Sequence, residues 1–363
     1  MPFPGVGAVG TPREAIEIVL RRALERSPCL ISFSGGRDSS AMLASAVHLA
    51  RREGFDLPVP ATAQFPAAGG THEDEWQQVV LRHLGIDEWF RIPITTELDA
   101  LGPIARPALL EHGLLWPCNS HFHVPIFDAA RGGSVVTGLG GDEIGACSAS
   151  ARPERVVGRV LRPTPRDVLG IGLALAPGAL RRWVYARRAE LPRWLTPHGA
   201  VVVRAAMAED DARVPFGFDR KLIEWVWPAR YFRTCVASLD ILGSARDVEV
   251  VNPFIEPEVL GALAGAGGRI GFGPREELVR ALFGDLLPEA TVSRGSKGSF
   301  DQPLWGPEAR AFAEAWDGSG LDGGLIRIDA VRDEWLAERP AFLSTLLLQQ
   351  AWLHAQGGAS SAT

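Results

Sequence analysis

Leu30-Ile31-Ser32-Phe33-Ser34-Gly35-Gly36-Arg37-Asp38-Ser39-Ser40 is the stretch on which the fold turns. An apolar run, Leu30 to Phe33, stops at Ser-Gly-Gly. Met42, Leu43, Ala46, Val47, Leu49 and Ala50 then recur at helical spacing, so the stretch reads as strand, tight turn and helix. Gly35 and Gly36 allow positive φ and close approach of a ligand. Unpaired N–H groups at the start of the helix, together with its dipole, favour an anion. Ser34, Ser39 and Ser40 add hydroxyls, and Asp38 adds a carboxylate suited to Mg²⁺ beside a phosphate. The pattern is a phosphate cradle without the G-x-x-x-x-G-K-[ST] of a Walker loop.

Working outward, Thr11 is placed to cap a helix over residues 11 to 27, with Pro12 in its first turn. Val59 to Phe65 fits a buried strand, His72 to Leu84 a helix, and Trp89 to Ile94 a third strand. Such alternation predicts an α/β fold with a parallel sheet. Phe122 to Ala130 reads as a helix. Ser134 to Thr137 is a short strand that runs into Gly138-Leu139-Gly140-Gly141-Asp142-Glu143, a second glycine-rich turn followed by acids. Two such turns at the carboxyl ends of strands would bring Asp38 and Asp142 to one cleft. Arg275 to Phe283 reads as helix, as do Glu308 to Trp316, Asp329 to Trp335 and Ala341 to His354; Gly357 to Thr363 is expected to be a disordered tail.

Composition narrows the function classes. The 363 residues carry a net charge of -6, which argues against a chain built for nucleic acid. The stretch 151–235 differs: sixteen Arg and Lys against eight Asp and Glu give it +8, and it holds Trp183, Trp194, Trp225 and Trp227. A solvated basic face or a surface for an acidic peptide or partner protein both fit. Cys29, Cys118, Cys147 and Cys235 are scattered, so a reducing cytoplasm is the expected setting. No window is long and apolar enough for a transmembrane span. The only lysines are Lys221 and Lys297. Three segments are expected: an α/β core over 1–150, a basic, irregular helical stretch over 151–235, and a helical completion over 236–356. In His121-Phe122-His123 two rings share a strand-like spacing, but no third metal ligand accompanies them.

Four segments, in order, resemble one family. Ser34-Gly35-Gly36-Arg37-Asp38-Ser39-Ser40 resembles the pyrophosphate loop S-G-G-x-D-S of ATP pyrophosphatases, which cleave ATP between the α and β phosphates. Val136-Thr137-Gly138-Leu139-Gly140-Gly141-Asp142-Glu143 resembles the motif S-G-x-G-x-D-E. Val248-Glu249-Val250-Val251-Asn252-Pro253-Phe254-Ile255 resembles E-x-R-x-P-F-L-D. Leu287-Pro288-Glu289, followed by Arg294-Gly295-Ser296-Lys297-Gly298-Ser299-Phe300, resembles an L-P … R-x-K-x-G-F loop. Together they are similar to the synthetase domain of asparagine synthetases and their relatives, the β-lactam synthetases and lasso-peptide macrolactam synthetases.

That resemblance implies an enzyme that activates a carboxylic acid as an acyl-adenylate and joins it to an amine, using ATP and Mg²⁺. By motif, Ser34, Gly35, Gly36, Ser39 and Ser40 would hold the pyrophosphate, with Gly138, Gly140, Gly141 and Arg294 also around the nucleotide. Asp38 and Asp142 would bind Mg²⁺, and Lys297 would neutralise charge on the leaving pyrophosphate. The chain departs from the family at several points. Asparagine synthetases begin with a glutaminase domain whose exposed N-terminal cysteine is the nucleophile; residue 2 here is Pro2, so ammonia from glutamine by that route is not expected. Leu139 stands where asparagine synthetases have Glu and β-lactam synthetases Tyr. A leucine moves no proton, so the base lies elsewhere: Glu143 is the nearest carboxylate, and His112, His121, His123 and Glu249 are further candidates. Val251, Ile255 and Glu256 replace the Arg, Leu and Asp of the third motif. The expected activity is therefore amide formation between a small-molecule or peptide carboxylate and an amine. A stand-alone asparagine synthase fed by ammonia or a separate glutaminase, and an ATP-binding scaffold, are the alternatives.

Overall fold

The computed structural model describes residues 10–64, 73–295 and 304–360. In chain order the described helices are α1 (Pro12–Leu24), α2 (Arg37–Glu53), α3 (Glu73–Leu84), α4 (Ala105–His112), α5 (Val124–Ala129), α6 (Gly141–Ala149), α7 (Arg152–Val157), α8 (Pro165–Ala174) and α9 (Gly178–Arg188). They continue with α10 (Pro197–Arg213), α11 (Phe218–Arg220), α12 (Arg230–Ser244), α13 (Pro257–Gly267), α14 (Arg275–Phe283), α15 (Glu289–Val292), α16 (Pro307–Ala315), α17 (Ile328–Trp335) and α18 (Ser344–Ser360). The strands are β1 (Cys29–Ser32), β2 (Val59–Gln64), β3 (Phe90–Pro93), β4 (Ser134–Val136) and β5 (Glu249–Val251).

The strands form one sheet in the order β3-β2-β1-β4-β5, and every neighbouring pair is parallel. Register is set by Leu30 opposite Val59, Ile31 opposite Val136, and Val136 opposite Val251. β1 and β4 are central, so both glycine turns leave the middle of the sheet at its carboxyl end, where ligands of open α/β sheets collect.

The chain divides into two units. The first comprises the described residues of Met1–Pro93, Pro125–Ala176 and Val214–Gly298; the second those of Ile94–Val124, Pro177–Arg213 and Ser299–Thr363. Each of the three segments expected from sequence contributes to both. The core of the first unit joins Ile16 and Leu20 of α1 and Met42 and Leu43 of α2 to Ile31, Phe254, Leu260 and Phe283. α1 starts on a capping box: the Thr11 hydroxyl accepts from the Glu14 N–H, and the Glu14 carboxylate accepts from the Thr11 N–H.

The second unit is built on tryptophan. Trp194, Trp316, Trp335 and Trp352 are buried with Leu101, Leu304 and Leu348, and the Trp316 and Trp335 rings lie 4.6 Å apart. The buried Asp99 carboxylate accepts from the Leu101, Glu308 and Ala309 N–H groups, capping α16. Trp225 and Trp227 pack on the first core. Of the four tryptophans in the basic stretch, Trp183 alone is exposed, beneath the Arg187 guanidinium.

Three local expectations change. His121-Phe122-His123 sits in a 3₁₀ turn, Ser120–His123, and the α-helix starts only at Val124. Glu249–Val251 is a strand, not simply the approach to a helix. α18 runs to Ser360, past Gly357, where a disordered tail was expected to start. All four cysteines are free and buried. Among the described residues, no helix is long and apolar enough to cross a membrane.

Candidate active site

After β1 the backbone turns at Gly35, where φ is +79°, and α2 begins at Arg37. The cap position is Gly36, which has no side chain of its own to bond the first helical N–H groups. A 17-residue helix thus starts on a glycine, with its positive end at the turn. Ser34 and Ser39 brace the turn: their hydroxyls lie 3.1 Å apart, and the Ser34 and Gly36 N–H groups donate to the Ser39 and Ser34 hydroxyls. Ser40 lies elsewhere. Its side chain is fully buried, and its hydroxyl has no partner among the described residues.

The second turn docks directly on the first. A Cβ on Gly138 would lie 3.1 Å from that of Asp38, and one on Gly141 only 2.3 Å from the Asp38 carboxyl carbon. Gly140 combines a φ of +96° with a site where a Cβ would lie 2.3 Å from the Ile255 methyl. These glycines are required by close approach, whatever else they touch. Thr137 ties the turn to the segment after β5: its hydroxyl donates to the Asn252 side-chain oxygen at 2.5 Å and accepts from the Leu139 N–H at 3.1 Å.

Asp38 and Asp142 are brought onto one side chain. Asp38 and Asp142 each accept from one terminal nitrogen of Arg275. Burial disfavours charge on that guanidinium, but the two carboxylates outweigh it and raise its pKa. Arg294 also reaches the first turn. Its side chain is buried, donates to the Gly35 carbonyl at 3.0 Å and lies over the Trp76 ring, while its own carbonyl accepts from Arg37. Burial, and then the nearby Arg275 charge, lower the Arg37 pKa. Three arginines thus surround a loop that already favours anions.

Arg275 and Arg37 were not singled out in the sequence. Arg275 did carry a signal: it is the first residue of α14, where a cation opposes the helix dipole. Its charge is used sideways, on Asp38 and Asp142. Glu143 accepts from the Tyr231 hydroxyl, which burial and that carboxylate hold protonated far above the usual range. Ser296, Lys297 and Gly298 lie outside the described residues.

The family model described as asparagine synthase matches residues 13–355. The chain belongs to the asparagine synthase family. The match runs through both units and all four motif segments, and a search of curated proteins finds no match. At family level the chain is an ATP-dependent ligase, and the asparagine synthase family binds ATP.

The remaining candidates separate by position. Glu249 opens β5 at the end away from the glycine turns, 3.8 Å from Arg26. His112, His121 and His123 belong to the second unit. The His121 ring nitrogen bonds the Leu98 carbonyl at 3.0 Å, and burial pulls its pKa down to about 4. Among the described residues, no group of three or more His, Cys, Asp or Glu could hold a metal alone. Asp38 and Asp142 do fit Mg²⁺, which takes one or two carboxylates and completes its shell with phosphate oxygens and water. They are hard donors that converge on one cationic group.

Proposed function

We propose that this member of the asparagine synthase family is an AMP-forming carbon–nitrogen ligase that adenylates a carboxylic acid and passes the acyl group to an amine. One observation carries the reading: two glycine turns, one at a helix N-terminus that starts on a glycine, bring Asp38 and Asp142 onto a shared cation. That arrangement suits a polyphosphate. The α2 N–H groups and the cationic surround of Arg37, Arg275 and Arg294 hold the β and γ phosphates. A substrate carboxylate oxygen attacks the α-phosphorus, and the α–β bridging oxygen leaves with pyrophosphate. Lys297, carried over by motif, neutralises the charge that builds on that leaving group. Asp38 and Asp142 would hold Mg²⁺, which screens the phosphate charges when bound. The amine nitrogen then attacks the acyl carbon, AMP leaves, and the nitrogen sheds a proton. Glu143, four residues beyond Leu139, is the carboxylate assigned to take it, with Tyr231 orienting it. Natural-product amidation or peptide macrolactam formation is the setting this reading favours.

The test is pyrophosphate and AMP release over a panel of carboxylic acids, each with and without a primary amine. Acid-dependent release is expected, and Asp38→Ala and Lys297→Ala should each lower it by at least ~100-fold. Absence of ATP–pyrophosphate exchange with every acid would overturn the reading. The family description also favours a narrower one, an asparagine synthase supplied with ammonia. Aspartate plus ammonium yielding asparagine would select it.

A further inference from the structure

Beside the second glycine turn lies a groove of about 420 Å³. Ile255, whose methyl packs on Gly140, is part of its wall. α12 supplies one side. Arg233, Val236, Ala237 and Asp240 follow one another at i, i+3, i+4 and i+7 and so share a helix face. The facing side is Ile255, Glu256 and Leu260, from the turn after β5 and from α13. Asn252 is also on the lining and is 3% exposed. Its oxygen is taken by Thr137, which leaves the amide nitrogen as a donor with no partner among the described residues.

The charges on this groove are sorted. Arg233 and Asp240 are seven residues apart on one helix, or about 10 Å at 1.5 Å per residue. Neither makes an ion pair among the described residues, and Glu256 has only Arg22, at 3.9 Å. One end of the α12 face is therefore cationic and the other anionic, with Val236, Ala237 and Ile255 supplying apolar surface.

We propose that the groove binds an extended zwitterion with an apolar middle, its ammonium at Asp240 and Glu256 and its carboxylate at Arg233. Under the ligase reading above, on which this role rests, that ligand is the amine-bearing substrate. Burial raises the Glu256 pKa, Glu258, Asp240 and Glu249 add to the rise, and Arg22 opposes it, so an ammonium there would be favoured.

The experiment is titration calorimetry on the full chain with three probes: 8-aminooctanoate, octanoate and octylamine. The zwitterion is expected to bind about tenfold or more tighter than either singly charged probe, as one lost charge-assisted contact implies. Ala237→Trp, which fills the groove from the exposed face of α12, should abolish binding. The double variant Asp240→Asn/Glu256→Gln, which leaves the apolar walls intact, should bring 8-aminooctanoate down to the affinity of octanoate. Equal affinity for the three probes, no binding of the zwitterion, or unchanged binding in the double variant overturns the proposal. ATP binding, followed with a fluorescent nucleotide in the same proteins, is scored separately. Zwitterion binding without ATP binding would sink the ligase reading and leave the groove; ATP binding without zwitterion binding would do the reverse.

Discussion

Asp38 illustrates how much one residue inherits from its neighbours. Its backbone sits at the start of α2, its carboxyl carbon presses on Gly141, and its charge is shared with Asp142 through Arg275. Gly141→Ala should therefore be costly without removing any functional group. We expect a loss of about 1–3 kcal/mol from overpacking, read from the denaturation midpoint, and at least ~100-fold in acid-dependent pyrophosphate release, because the carboxylate is displaced. Both acids were legible from their glycine motifs. Arg275 was not, because the helix signal around it describes the apolar face of α14 and says nothing of where a long side chain reaches.

The second lysine teaches the same lesson in reverse. Lys221 is buried and pairs with the buried Glu154 at 2.9 Å, and Glu154 also accepts from the Gly217 N–H. Glu154→Ala would leave an ammonium buried without its counter-charge. It should cost about 3–5 kcal/mol by urea denaturation, whereas replacing both partners with apolar residues should cost much less. His121 ties stability to pH. Its pKa is about 4 in the folded protein against 6.5 for an unperturbed ring, so the unfolded chain binds the extra proton first. Stability is full above pH 6.5 and falls as pH drops towards 4, by up to about 3 kcal/mol from this ring. His121→Asn should flatten that part of the pH–stability curve.

At the scale of elements, legibility follows length and local chemistry. α1 was readable because Thr11 and Pro12 are start signals in their own right. Thr11→Ala removes the cap and should lower stability by about 1 kcal/mol in chemical denaturation. β5 was not readable. Three residues cannot establish a period of two, and Glu249 to Val251 become a strand only because β4 offers them an edge. The 3₁₀ turn at Ser120–His123 escaped notice for a related reason: its tight geometry is fixed by contacts such as the one from His121 to the Leu98 carbonyl, not by spacing. α18 outran the expected tail because glycines weaken a helix without ending it when the register is already set.

For the whole molecule, the sequence announced the α/β class but not the division into units. Composition changes near residue 151, yet each unit takes three separate stretches of chain, and Pro177–Arg213 leaves the basic stretch for the second. Three of the four tryptophans there lie in or pack against the cores. A chain truncated after Arg213 would lack Phe254, Leu260 and Phe283 from the first core and Trp316, Trp335 and Trp352 from the second. Circular dichroism on heating should then show no cooperative transition.

The position of β5 has a consequence for how the protein is made. Four strands emerge from the ribosome with the first 136 residues, whereas the strand that covers the outer edge of β4 ends at Val251. Throughout that interval Ser134, Val135 and Val136 would present an open, apolar edge of the kind that recruits foreign strands. Slower initiation, lower temperature or a holding chaperone during synthesis should therefore raise the yield of unaggregated protein more than any change to the finished surface.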